Sequence, residues 1–234
     1  MHVPDGFLDV TTSIATAAGA AVTVGAALRG ARRGLDDKAA PLAGLVATFV
    51  FAAQMLNFPV GAGTSGHLLG GTLAAVLVGP WTGILCLSVV LLVQSLLFAD
   101  GGITALGTNV TLMGIIGVGV GWLVFRGLQL ALPRRVGLIA PLAAVGAFCS
   151  VLAAATAFVG LYAVGGTAPI PLGALTTAMV GWHALIGLGE AVITGLVVGS
   201  IVAVRPDLVH GARPVLTARP LEVRQVAPVT GGAA

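Results

Sequence analysis

The chain has 234 residues, of which 57% are apolar and only 8% charged, and its mean hydropathy is +1.07. A water-soluble domain carries roughly 25% charged residues, so this inventory cannot build a hydrated surface and points to an all-α integral membrane protein. The net charge of +3 sits in short basic clusters between apolar runs, and aromatics are few, which excludes nucleic acid as a partner. The 35 glycines suit membrane helices packed at close range, and Cys86 and Cys149, both in apolar stretches, read as small buried side chains.

Residues 1–9 lack the basic start and cleavage site of a secretory signal, so Met1 and His2 are expected at the mature terminus. Crossing the ~30 Å hydrocarbon core takes about 20 apolar residues. Stretches of that kind run over 10–28, 41–56, 81–98, 108–125, 136–164 and 175–204, the last two long enough to tilt. All eleven Lys and Arg residues lie at 29–38, 126–135 and 205–224, and the positive-inside rule assigns those three places to the cytoplasm. The N-terminus is then outside and the C-terminus inside, which requires an odd number of crossings. Seven fits if the short run 68–78 also crosses. As a helix that run is only about 16 Å long, so the glycine-rich stretch 57–67 before it must enter the protein. Irregular backbone at membrane depth is tolerated only when buried in protein or lining a wet cavity. A polar cavity on the outer face, beside the N-terminus, is the expectation. Residues 1–204 are thus expected to form one membrane domain, and 205–234 a cytoplasmic, largely disordered tail.

The chemistry-bearing residues begin with Met1-His2. The terminal amine, the His2 amide nitrogen and the His2 imidazole close adjacent five- and six-membered rings on a metal, giving three corners of a square that suits Ni(II) or Cu(II). Alone, a histidine at position two is an exposed residue at a frayed end, and His67 alone is a hydrogen-bonded loop residue. Their shared outer side makes them a pair, with the His67 imidazole as fourth corner. An amine with an ordinary pKa near 7.7–8.0 would make binding weaken in acid. His183 and Glu190 are seven apart on one helix face, about 10.5 Å along the axis, too far to chelate one ion. An intramembrane carboxylate is a functional candidate by default; a structural role for Glu190, hydrogen-bonded across helices, is the competing reading. Gln54, Gln94 and Asn109 read as interhelical or supporting polar groups, and Asp100 as an outer-loop acid that attracts cations or simply turns the chain.

Met1-His2-Val3-Pro4-Asp5-Gly6-Phe7-Leu8 resembles the N-terminal signature of the CbiM/NikM family, the substrate-binding membrane components of energy-coupling-factor nickel and cobalt importers. The resemblance continues through Gln54-Met55-Leu56-Asn57-Phe58-Pro59, Gly63-Thr64-Ser65-Gly66-His67, the stretch from Leu91 to Gly102, Ala105-Leu106-Gly107-Thr108-Asn109 and His183 to Ala191. It implies a seven-helix fold and a nickel or cobalt ion bound by the Met1 amine, both His2 nitrogens and His67. Asn57, Ser65, Asp100, Asn109 and Glu190 are the candidate supporting positions. The family's cobalt members often begin Met-His-Ile-Met-Glu-Gly; Pro4-Asp5-Gly6 here favours nickel only weakly. No organic cofactor is expected. The single lysine, Lys38, leaves no phosphate-binding Gly-x-x-x-x-Gly-Lys loop. Separate ATPase subunits, a coupling transmembrane subunit and a small accessory membrane subunit are therefore the implied partners. Competing classes are a stand-alone channel or proton-coupled transporter, and an intramembrane metalloenzyme around His183 and Glu190, which lacks a third ligand on that helix.

Overall fold

The computed structural model describes residues 1–33, 39–61 and 64–217. Lys38 and residues 218–234, expected in the first cytoplasmic loop and in the tail, lie outside the described residues. Helix α1 (Val10–Ala31) starts where the Asp9 carboxylate accepts the Thr12 amide at 2.7 Å. Helix α2 (Ala39–Gln54) leads into a short antiparallel hairpin of β1 (Phe58–Gly61) and β2 (Thr64–Gly66). The stretch expected to be irregular is therefore partly strand. Helix α3 (Gly71–Val78) has only eight residues, roughly 12 Å. It is bounded by Gly70 and Gly79, both at positive φ. Next comes α4 (Pro80–Leu97), with its proline in the first turn, where no amide partner is lost.

Helix α5 (Leu106–Ala131) carries a π-helical stretch at Val110–Gly117, and α6 (Ile139–Gly165) and α7 (Leu172–Val204) complete the long elements. Among the described residues five helices, α1 and α4–α7, are long and apolar enough to cross a membrane; α2 has 16 residues and α3 eight. The chain is a helical membrane protein, and its surface shows it. Large apolar side chains face outward, including Val22 at 75%, Leu97 at 73% and Val164 at 81% exposure, while polar Gln54, Gln94, Asn109, His183 and Glu190 are buried. A water-soluble fold would reverse that distribution.

Helix α3 is the centre of the bundle, touching α2, α4, α5, α6 and α7, with Gly71 to Leu77 all buried. Glycines let its neighbours close in: a Cβ on Gly71 would lie 2.8 Å from the Gly117 carbonyl carbon, and one on Gly146 2.8 Å from the Gly121 oxygen. Residues 205–217 depart from the expected disorder. After α7 ends at Val204, two 3-10 turns and a four-residue helix, α8 (Arg213–Leu216), bury Val209, Ala212 and Val215. Gln129 Nε2 donates to Gly211 O at 2.8 Å, and His210 packs on Gly79 and Trp122. The composition of the segment is polar, yet three apolar residues suffice to seat it against α3 and α5.

Candidate metal centre

The N-terminus is threaded into the bundle, and the physical reason is burial of its apolar side chains on both sides of an exposed turn at residues 4–6. Met1 and Val3 are buried, with Phe7 packed on Phe158 and Tyr162 at ring separations of 5.5 and 5.2 Å. Backbone pairing fixes the strand-like entry: Val3 O accepts Gly102 N at 2.9 Å, and Thr167 N donates to Phe7 O at 3.1 Å. Asn109, in the turn before the π stretch, reads Val3 on both sides. It accepts Val3 N at 2.7 Å and donates to Val3 O at 3.1 Å. Asp5 accepts the Thr104 amide, and Gly6 turns the chain at φ +72°.

That threading brings Met1, His2, Ser65, His67 and Asp100 together. The Met1 amine, fully buried, faces Ser65 Oγ at 3.5 Å. Burial pushes its pKa down from 8.0 to about 4, against the opposing pull of Asp100. The rings of His2 and His67 stack with centroids 4.4 Å apart. His2 Nε2 meets Gln94 Oε1 at 3.2 Å, and His2 Nδ1 lies 3.0 Å from Asp100 Oδ1 without an aligned hydrogen bond. His67 Nδ1 donates to Leu68 O at 2.8 Å, which leaves Nε2 as a buried lone pair with no protein partner. Burial holds the His67 imidazole well below its ordinary pKa. It is therefore neutral, the form that binds metals. The Asp100 carboxyl is kept below the usual range, first by the His2 imidazole and also by Asn57. Asn57 Nδ2 donates to Asp100 at 3.4 Å. An open cleft of about 480 Å³, lined by His2, Asn57, Ser65 and Asp100 among others, leads to this cluster.

Glu190 sits elsewhere. Its carboxylate accepts Leu69 N at 2.6 Å and Gly70 N at 2.9 Å, while Gln54 Nε2 donates to Leu69 O at 2.7 Å. Helices α7 and α2 thus grip the backbone two residues past His67. The structural reading of Glu190 is the one the geometry supports. Gln94 contacts His2 directly; its signal in the sequence was an amide inside an apolar span.

Among the described residues no three His, Cys, Asp or Glu side chains group as a metal site. A chelate that draws two of its four nitrogens from the main chain has no such grouping. What the region offers is buried nitrogen donors beside one carboxylate at the end of an open cleft.

Comparison with known proteins identifies the family. The family model described as CbiM, cobalt uptake substrate-specific transmembrane region, matches residues 2–208. A protein of Haloquadratum walsbyi named for metal transport is 41% identical over 89% of this chain and 93% of its own length. The fused nickel transport protein NikMN of Rhodobacter capsulatus is 34% identical over 91% of this chain, which spans 65% of that longer protein. A crystal structure of a transition metal transporter superposes with a TM-score of 0.80 at 33% identity, covering 87% of this chain and 93% of that one.

Proposed function

Because the chain belongs to the CbiM family of cobalt uptake transmembrane proteins, we propose that it captures nickel or cobalt at the outer face of a prokaryotic cell membrane. The ion is held by the Met1 amine, the deprotonated His2 amide, His2 Nδ1 and His67 Nε2. One observation carries this reading: the Met1 amine is buried, with its pKa pushed down to about 4, beside two stacked imidazoles, of which His67 presents a buried Nε2 with no hydrogen-bond partner. Leaving such groups bare in the interior costs free energy unless something binds them. Asp100 supplies a negative charge next to the donors, and Gln94 and Asn109 hold His2 and Val3 in place.

Seven crossings, with α2 and the short α3 included, put the N-terminus outside and Arg205 inside, in keeping with the basic clusters. Import then requires separate ATPase subunits, a coupling transmembrane subunit and a small accessory membrane subunit, as in energy-coupling-factor transporters. The NikMN relative is a fusion by name, and this chain spans 65% of its length.

The test is to place two residues ahead of Met1. The extension converts the amine to an amide and fills the buried position, so nickel binding measured by calorimetry on purified protein is lost while the thermal transition of the apo form persists. Tight binding by the extended protein overturns the proposal. Metal analysis of the untagged protein, grown with both ions present, assigns nickel or cobalt.

A further inference from the structure

At the far end of α1 a second pocket, of about 190 Å³, is lined by Gly30, Gly79, Trp81, Thr82, Trp122 and His210 among others. Ordinary ligand sites run to roughly 300–1,000 Å³, so this one takes a compact headgroup rather than a nucleotide or an organic cofactor. It lies where α1 ends and α4 begins, at the boundary between hydrocarbon and water, and tryptophan is enriched at that depth. A Cβ on Gly30 would lie 2.6 Å from the Trp81 ring, so the last turn of α1, with Arg29 and Arg32 beside it, closes one wall.

The polar groups of the pocket are donors without partners. Helix α4 makes its first bond from Gly83 N to Gly79 O at 2.8 Å, so the Trp81 and Thr82 amides precede the ladder at the positive end of an 18-residue helix. Thr82 is only 9% exposed, and among the described residues its hydroxyl has no hydrogen-bond partner. The His210 ring meets Gly79 and Trp122 but, again among the described residues, no hydrogen-bonding group.

Cations stand around these donors. The Arg126 guanidinium sits 5.8 Å from the Trp122 ring centroid, and Arg213 opens α8 just beyond His210. Both lie near enough to help burial hold the His210 pKa down. Among the described residues the acid at this end is Asp207, which Arg205 binds at 2.8 Å. Unpaired donors beneath guanidiniums suit a phosphate.

We infer that this pocket binds the phosphate diester of an anionic phospholipid, with the Thr82 hydroxyl and the α4 amides on its oxygens and Arg126 and Arg213 balancing its charge. A free phosphate carries the same chemistry. The place favours the lipid: a pocket at the ends of two spans is reached along the bilayer by a headgroup whose chains stay against the apolar surface.

The experiment places the full untagged chain, as Trp182→Phe, in phosphatidylcholine nanodiscs, so that fluorescence comes from Trp81 and Trp122. Phosphatidylglycerol with brominated chains is compared as quencher with brominated phosphatidylcholine at equal mole fraction. Stronger quenching by phosphatidylglycerol is expected, and its preference falls about fivefold in Arg213→Gln and again in Arg126→Gln. Thr82→Val lowers the preference at unchanged net charge. Arg134→Gln with Arg135→Gln, two residues that do not line the pocket, leaves it in place. Equal quenching by the two lipids overturns the inference and leaves the basic end to a protein partner. An equal loss in the Arg134 and Arg135 variant also overturns it, because diffuse surface charge would then suffice. Inorganic phosphate that removes the preference at millimolar concentration assigns the pocket to a free anion and overturns the lipid. If Arg126→Gln does not fold, Arg213→Gln and Thr82→Val decide.

Discussion

The chain's four histidines divide between two ends of the bundle, and the division separates the proposed binding site from a packing site. His67 and His210 are both pushed below the ordinary imidazole pKa, in each case first by burial. What surrounds them differs. His67 stacks on His2, whose Nδ1 lies 3.0 Å from the Asp100 carboxylate. His210 lies against Trp122 and near Arg213 and Arg126, whose guanidinium sits 5.8 Å from the Trp122 ring centroid. Permanent cations repel a metal ion; a neutral amine and a carboxylate do not. Burial of a histidine therefore says little until the charges around it and the partner of its second nitrogen are known.

The sharpest way to break the comparison is to remove each imidazole. His67→Ala takes one corner from the square and is expected to weaken nickel binding by on the order of a hundredfold or more, since even indirect supporting groups cost 10–100-fold. His210→Ala is expected to leave affinity unchanged while lowering the thermal transition, because it opens space against Gly79 and Trp122. Calorimetric titration of both proteins checks this. Equal losses would mean that the two ends are not separate.

Part of this was legible in the sequence. Spans, basic clusters and the pairing of His2 with His67 follow from hydropathy and charge, which depend on local composition. Three features do not. The hairpin at Phe58–Gly66 needs strand pairing that α7 and Ile186 support from 120 residues away. The folded segment 206–216 owes its order to Gln129 and to the groove at Gly79 rather than to its own polar composition. A structural, hydrogen-bonded Glu190 is among the sequence readings, but its partners, two amides of a distant loop, are not legible from spacing.

Glu190 gives the next test, of intermediate size. In Glu190→Gln one oxygen remains for one amide, while the new NH2 faces the other N–H across a buried contact. The unsatisfied amide costs roughly 1–3 kcal/mol. A lowered thermal transition of the apo protein is expected, with weaker nickel binding because the backbone after His67 is no longer held. The His210 end gives the control: hydrogen exchange at Leu69 and Gly70 rises in the variant, and that at Gly211 does not. Uniformly faster exchange would show that Glu190 supports the whole fold rather than the His67 segment.

The smallest expected effect is on pH, and burial changes what an ordinary amine would give. A base whose pKa is depressed in the folded state binds its proton more readily when unfolded, so stability falls as pH drops below the unfolded value. For Met1 that window opens at about pH 8 and extends towards 4; His67 and His210 add to the loss below about 6.5. The depressed carboxyls of Asp5, Asp9 and Asp100 act lower still, below their ordinary 3.8. Apo stability should therefore decline from pH 8 to 5, and His210→Phe should flatten only the part below 6.5. Metal binding follows a different rule. With the Met1 amine and His67 already neutral at pH 7, neither has a proton to release, and the His2 amide sets the steepness. Nickel affinity should then change by about tenfold per pH unit between 7 and 8. A slope near two would show that the amine titrates as it does in water, and that the N-terminus is not buried before the ion arrives.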